Sequence, residues 1–210
     1  MPHEHSGNSD ATYFNDAAKT WDSPEKTARS QRIADAIRQR IPMSSAWRVL
    51  DLGAGTGQLG RALAEQVAHV LLIDTSEGMI DVAMDAIADH PRVQARVHNL
   101  LDEPLNDSFD LVVSAMALHH IPDTRAALRS IRGALAPGGW VSLADLDHDP
   151  ENLFHADTHT GHRGIERDVL REDLVREGFV DVQVETVATV VKAKGGVARE
   201  FSVFLATGHL

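Results

Sequence analysis

Val49-Leu50-Asp51-Leu52-Gly53-Ala54-Gly55-Thr56-Gly57 reads as a buried strand that turns through three alternating glycines into a helix. Each glycine removes a Cβ where the backbone must turn tightly or let a ligand approach, and the amides of the following helix point at whatever fills the notch. The next apolar run, Val70-Leu71-Leu72-Ile73, ends in Asp74, 21 residues after Gly53. That is close to the separation of about 20 residues at which a carboxylate on the second strand reaches a ribose. Loop and carboxylate together predict a nucleotide-like ligand at the ends of two adjacent strands.

Working outward, apolar runs alternate with helical patterns. Strands are expected near 48–52, 69–73, 93–98, 109–114 and 139–145, and helices near 57–67, 76–88 and 124–135. Such alternation means a parallel sheet with helices on both faces. Val180, Val182 and Val184 alternate instead with Asp181, Gln183 and Glu185, the signature of a half-exposed antiparallel strand. A strand near 179–187, a turn at Gly195-Gly196 and a last strand near 200–207 complete the sheet. The fold class is α/β: a doubly wound, seven-stranded, mostly parallel sheet with a reversed last strand and an amino-terminal helical cap. Asp22-Ser23-Pro24-Glu25 starts that cap helix, and Ile33, Ala36, Ile37 and Ile41 recur at helical spacing until Pro42.

The chain's 210 residues, 43% of them hydrophobic, suffice for one well-filled domain. Residues 1–10 are polar and expected to be a disordered tail, leaving 11–210 as a single domain, with 11–45 as a helical lid and 46–210 as a Rossmann-like core. No signal core and no long apolar run is present, so a soluble, cytoplasmic protein without membrane association is expected. The absence of cysteine excludes disulfides, thiolate metal sites and cysteine nucleophiles. A net charge of −11, from 20 basic and 31 acidic residues, opposes binding to nucleic acid. A small molecule is the expected partner; oligomeric state is not legible.

The motif Asp51-Leu52-Gly53-Ala54-Gly55-Thr56-Gly57 resembles the first motif of the class I S-adenosylmethionine-dependent methyltransferases. Ile73-Asp74-Thr75-Ser76-Glu77-Gly78-Met79 looks like the second, Ser108 to Ser114 like the fourth strand, and Leu135-Ala136-Pro137-Gly138-Gly139 like the turn before the fifth. The resemblance implies S-adenosylmethionine as cofactor. It sets Gly53, Ala54, Gly55 and Gly57 around the methionine portion, with Asp51 orienting its amino group. Asp74 and Thr75 then lie at the ribose and Met79 at the adenine. Asn99-Leu100 stands where the family has an acidic residue, and Asn99 or Asp102 is left to accept from the adenine amino group. Ser114 and Met116 fall beside the methionine end.

Ser114-Ala115-Met116-Ala117-Leu118-His119-His120-Ile121-Pro122-Asp123 is similar to the corresponding segment of the ubiquinone and menaquinone methyltransferases. It lacks the Asn/Asp-Pro-Pro-Tyr signature of amino-directed nucleic-acid methyltransferases. His119 or His120 would face the acceptor as a proton acceptor or else stabilise the loop, because imidazole titrates in the useful range. The stretch from Asp145 to Asp149, with His155, His159 and His162, could in principle ligate a metal along one helical face. Pro150, Gly161 and Gly164 oppose that helix, so no metal is expected and His159 is retained as a candidate base. Tyr13, Phe14 and Trp21 are candidates for an aromatic lid over the sulfonium. Two other readings fit the same loop: an NAD(P)-dependent oxidoreductase, since Gly55 to Gly60 formally satisfies G-x-G-x-x-G, and a non-catalytic, cofactor-binding regulatory protein.

Overall fold

The computed structural model describes residues 8–155 and 161–210. In chain order it contains α1 (Asn8–Ala17), a 3-10 turn (Ala18–Thr20), α2 (Pro24–Arg40), β1 (Arg48–Leu52), α3 (Gln58–Leu63), β2 (His69–Asp74), α4 (Glu77–Ala86) and β3 (Val93–Val97). Then follow β4 (Phe109–Ala115), a 3-10 turn (Leu118–His120), α5 (Thr124–Ala134), β5 (Leu135–Leu146), α6 (Arg167–Arg176), β6 (Val180–Lys194) and β7 (Val197–His209). The strands form one seven-stranded sheet in the order β3-β2-β1-β4-β5-β7-β6. β3, β2, β1, β4 and β5 pair in parallel, and β7 runs antiparallel to both β5 and β6. The reversed last strand is thus present.

Side chains alternate across the sheet, so each strand feeds two cores. Val49, Val70, Leu72, Leu111 and Val113 pack with Ile33, Ile37, Leu59 and Leu63 on one face. Leu50, Leu71, Ile73, Val112 and Leu143 pack with Leu128, Ile131, Leu170 and Leu174 on the other. Both faces being covered explains the unbroken Val/Leu/Ile runs. The strand order reverses between β1 and β4, and the crevice outside the carboxyl ends of the strands at such a switch point is where open α/β sheets bind ligands.

Several boundaries differ from expectation. α1 begins at Asn8, within the stretch expected to be tail. α6 was not anticipated: its sequence RDVLREDLVR is dominated by charge, and only Leu170, Asp173 and Leu174 are buried. β5 starts at Leu135 rather than near 139, with a register shift between its pairs to Phe109 and Leu111. The β6–β7 hairpin is longer than expected, because the ladder continues to the Lys194–Val197 pair around Gly195 (φ +63) and Gly196 (φ +80). Left-handed dihedrals at both turn residues match the twist of a hairpin, which is why two glycines sit there. β5 pairs with β7 only as far as Leu146 opposite Val203. Beyond that point the hairpin overhangs the sheet as a two-stranded ribbon. Among the described residues no helix is long and apolar enough to cross a membrane.

Candidate active site

The glycine loop leaves β1 in left-handed conformations that a side chain would strain. A Cβ on Gly53 (φ +65) would lie 2.5 Å from the Ala117 Cβ, and one on Gly57 (φ +78) 2.5 Å from Leu72 Cδ1. The loop is held to β2 by Asp74, whose Oδ2 accepts from the Gly55 N–H (2.8 Å) and Oδ1 from the Ser76 N–H (2.9 Å). Each oxygen retains acceptor capacity for a further donor. Burial raises the Asp74 carboxyl above its ordinary range against the opposing pull of those N–H groups. Asp51 is 1% exposed, and its Oδ2 accepts from the Gly60 N–H at 2.8 Å. Burial, opposed by that bond and assisted by the charge of Asp74, pushes it to about 7. A buried acid so raised is suited to a cationic amino group, which would restore its charge.

Met79 is buried, with Sδ 3.9 Å from where a Gly55 Cβ would stand. Leu100 is buried as well. Asn99 and Asp102, the two residues left open for the adenine, bond each other: Asn99 Nδ2 donates to Asp102 Oδ2 at 2.7 Å, and Asn99 Oδ1 accepts from the Leu101 N–H at 3.1 Å. Ser114 is buried, and its hydroxyl donates to the Leu52 carbonyl at 2.8 Å, tying β4 to the end of β1. Met116 adopts φ +58, and its N–H donates to the Ala144 carbonyl at 2.8 Å, so the chain turns sharply as it leaves β4. Thr75 is exposed beside Asp74.

The amino-terminal segment crosses this crevice. Asn15 Oδ1 on α1 accepts from the Ser76 hydroxyl (2.7 Å) and the Gly78 N–H (3.0 Å), anchoring α1 over the start of α4 beside Met79. Asp22 Oδ1 accepts from the Thr56 hydroxyl at 2.7 Å, anchoring the start of α2 to the glycine loop. Between these anchors, Phe14 stands edge-on to Trp21 (5.3 Å) and to His120 (5.0 Å). Neither Asn15 nor Asp22 was flagged from sequence as a site residue, since each acts on a residue at least 34 positions away.

On the far side of the crevice the 3-10 turn at Leu118–His120 sets His119 against the end of β5. Asp145 is wholly buried and His119 is 3% exposed. The His119 Nδ1–H donates to Asp145 Oδ1 at 2.5 Å and the His119 N–H to Oδ2 at 3.1 Å; the Leu146 N–H also donates to Oδ1, at 2.7 Å. A carboxylate only accepts, so the pair fixes the proton on Nδ1 and leaves Nε2 as the basic nitrogen. The His119 ring lies 4.1 Å from that of His120 and 5.0 Å from that of His155. His159 lies outside the described residues. The other acidic candidates are engaged elsewhere: Asp147 is gripped by Arg167 (2.5 and 2.6 Å), and Asp149 Oδ2 accepts from the Leu153 (2.5 Å) and Phe154 (2.8 Å) N–H groups. His162 donates its N–H to the His119 carbonyl at 2.7 Å. Among the described residues no three His, Asp or Glu are grouped to hold a metal ion.

A sheet in the order 3-2-1-4-5-7-6 with strand 7 reversed, carrying a glycine loop after β1 and a carboxylate at the end of β2, has the fold of the class I S-adenosylmethionine-dependent methyltransferases. Residues 49–139 match the family described as a methyltransferase domain. Among curated relatives, a demethylmenaquinone methyltransferase of Clavibacter sepedonicus is 36% identical over 107 residues, covering 50% of this chain and 44% of that protein. A ubiquinone biosynthesis O-methyltransferase of Xylella fastidiosa is 39% identical over 118 residues, covering 54% and 47% respectively. The chain therefore spans about half the length of these relatives. Among solved structures, the DhpI–SAH complex superposes with a TM-score of 0.73 at 24% identity, over 96% of this chain and 95% of that one, which shows a shared fold across nearly the whole molecule.

Proposed function

We propose that the chain transfers a methyl group from S-adenosylmethionine to a small-molecule acceptor, with His119 as proton acceptor and Asp145 as its positioning residue. One observation carries this reading: the buried Asp51 and the Asp74-braced glycine loop stand at the carboxyl ends of β1 and β2, and the His119–Asp145 pair at those of β4 and β5, on the same edge of the sheet. The residues fit the cofactor. A buried carboxyl raised to about 7 awaits an ammonium group, a carboxylate with spare lone pairs stands where a ribose diol would be, and the absent Gly55 Cβ leaves room beside Met79. The methyltransferase names of the relatives support the same reading.

When bound, the cofactor supplies an electrophilic methyl on a positively charged sulfur. The protein aligns the acceptor with it and excludes water, and alignment of that kind lowers a barrier by several kcal/mol. Phe14 and Trp21 close the crevice, bringing π faces that favour a cation. In that transfer His119 Nε2 would take the proton released from the acceptor's oxygen, nitrogen or carbon. Asp145 keeps the imidazole in the required tautomer and compensates the imidazolium that forms. The reversed strand disfavours the dinucleotide alternative.

Parallel calorimetric titrations with S-adenosylmethionine, S-adenosylhomocysteine and NAD(H) test the reading. Binding of the first two, followed by transfer of labelled methyl to a member of an acceptor panel, is expected. Binding of NAD(H) alone would overturn it, and cofactor binding without any transfer would favour the regulatory alternative.

A further inference from the structure

Cations converge on the acceptor side of the crevice in a chain whose net charge is −11. Lys26 and Arg29 stand one turn apart on α2, at the head of the stripe that continues as the buried Ile33 and Ile37. Lys192 and Lys194 follow Ala188 and Val190 on the inward side of β6, by the alternation of a strand. The two elements lie side by side in opposite directions, pinned at one end by Arg40 Nη2, 2.7 Å from Glu185 Oε2. From Arg40 back to Lys26 is about 21 Å of helix, and from Glu185 on to Lys192 about 23 Å of strand. Lys26 and Lys192 therefore reach the same height above the crevice.

Rings join these cations to the histidines. Lys26 Nζ lies 3.4 Å from the centre of the Trp21 ring, and Trp21 leads through Phe14 to His120. Lys192 Nζ lies 4.3 Å from the centre of Phe154, which stands 4.9 Å from His155. Lys194 Nζ donates to the carbonyls of Asn152 and His155 at 2.8 and 3.2 Å, holding the ribbon down on that loop.

The arrangement is electrostatically unfavourable as it stands. Lys26 occupies the first turn of α2, where the helix dipole repels a cation. Partial burial, then the neighbouring Arg29, then Lys192 lower its pKa against the pull of Asp22; Lys192 is lowered by burial and by Lys194. Arg29 makes no hydrogen bond or ion pair among the described residues, is lowered by burial, and feels Asp145 as its nearby opposite charge. Lys26 Nζ donates to the Trp21 carbonyl at 2.6 Å, while Asp22 and Asp145 accept from Thr56 and His119, so among the described residues no carboxylate pairs directly with Lys26, Arg29 or Lys192.

We propose that Lys26, Arg29 and Lys192 form a recognition site for an oxyanion carried by the methyl acceptor, a carboxylate or a phosphate ester, so that the substrate is an anionic small molecule. The inference rests on the reading of the crevice as a methyl-transfer site. An oxyanion held by the forked Arg29 and the two ammonium groups would relieve their mutual repulsion and orient the rest of the molecule toward His119 Nε2.

Three probes that share one ring decide it: benzoate, phenyl phosphate and phenol, each titrated calorimetrically into the full chain saturated with S-adenosylhomocysteine. At least one anion is expected to bind about 10-fold or more tightly than phenol, and Arg29→Gln and Lys192→Gln to remove about 10-fold each. The better anion identifies the oxyanion class. Retained S-adenosylhomocysteine affinity in each variant shows that it folds, and Lys192→Glu, at an exposed position, should invert the preference. Equal binding of the three probes, or anion affinity indifferent to the substitutions, overturns the proposal. Failure of the unaltered chain to bind S-adenosylhomocysteine overturns the cofactor reading instead, and the comparison of phenyl phosphate with phenol without it then decides the anion site alone.

Discussion

Replacing Asp145 by Asn, alone and together with His119→Phe, tests whether the buried pair is a working unit. The Asp145 carboxylate accepts three N–H groups, from His119 Nδ1, the His119 backbone and the Leu146 backbone. Asparagine offers one acceptor oxygen, so at least one buried N–H is left facing an NH2 group, a cost of about 1–3 kcal/mol, and the charge assistance of the remaining bonds is lost for about 1 kcal/mol more. The expected destabilisation is about 2–4 kcal/mol, or about 4–16 °C in Tm for a chain of this size. His119→Phe keeps ring volume but removes the Nδ1–H donor. In the double variant the two losses share one hydrogen bond, so urea unfolding should give a coupling of about 1.5–3 kcal/mol. S-adenosylhomocysteine affinity should hardly change, since Asp51 and Asp74 are untouched, while methyl transfer should fall with kcat rather than KM. Additivity within about 0.5 kcal/mol would mean that the two side chains are neighbours without an energetic bond, and the role given to Asp145 would fall.

Asp74→Ala removes both the brace on the Gly55 N–H and the ribose acceptor, and should weaken S-adenosylhomocysteine binding by about 1–3 kcal/mol in calorimetry; unchanged affinity would place the ribose elsewhere. Gly60→Ala puts a Cβ 2.3 Å from Leu72 Cδ2 and 3.0 Å from Asp51 Oδ2, and overpacking there should cost about 1–3 kcal/mol in urea unfolding. Asp51, raised from 3.8 to about 7 in the folded chain, takes up a proton on folding between those values. Its contribution is fully present below pH 4 and lost as pH rises through about 7, up to about 4 kcal/mol. The cofactor's ammonium favours the ionised form, so affinity for S-adenosylhomocysteine should rise through the same pH. Asp51→Asn should flatten both profiles relative to the unaltered chain, and profiles that keep their slope would show that another group titrates.

The strand-loop-carboxylate geometry proposed to hold the cofactor is legible because its parts are local in sequence. Asp51 through Gly57 form one strand-turn unit, and Asp74 ends the next strand, so spacing alone carried the geometry. Ser114 and Met116 are named from the sequence only as residues beside the methionine end; the bond from Ser114 to Leu52 and the positive φ of Met116 arise where separate strands meet and have no local signal. Asp145 was visible only as one of several acids between 145 and 149. That it, rather than Asp147 or Asp149, meets the His119 turn follows from where β5 ends, which no local pattern encodes. Asp145 is the last residue but one of the strand, whereas Asp147 and Asp149 lie past it and are engaged by Arg167 and by the Leu153 and Phe154 N–H groups. α6 escaped because a helix with two large buried apolar residues has almost no periodicity, and the hairpin was underestimated because its overhanging ribbon is exposed on both strands and lacks the alternation that marks a half-buried pair.

The acceptor half draws instead on segments separated by most of the chain: Lys26 and Arg29 from α2, His119 after β4, Asp145 on β5, the loop at Phe154 and Lys192 on β6. Lys26, Arg29, Asp145 and Lys192 are each placed by an element whose apolar residues pack into a sheet face. This division has a physical basis. A fixed cofactor demands backbone amides and carboxylates at set distances, which a rigid strand-turn-helix supplies, whereas an acceptor is recognised by side chains at the edges of elements whose ends can lengthen without disturbing either core. The ribbon beyond Val203 is such an end: it has no β5 partner, so its length and the charges on its inward side are not dictated by the sheet.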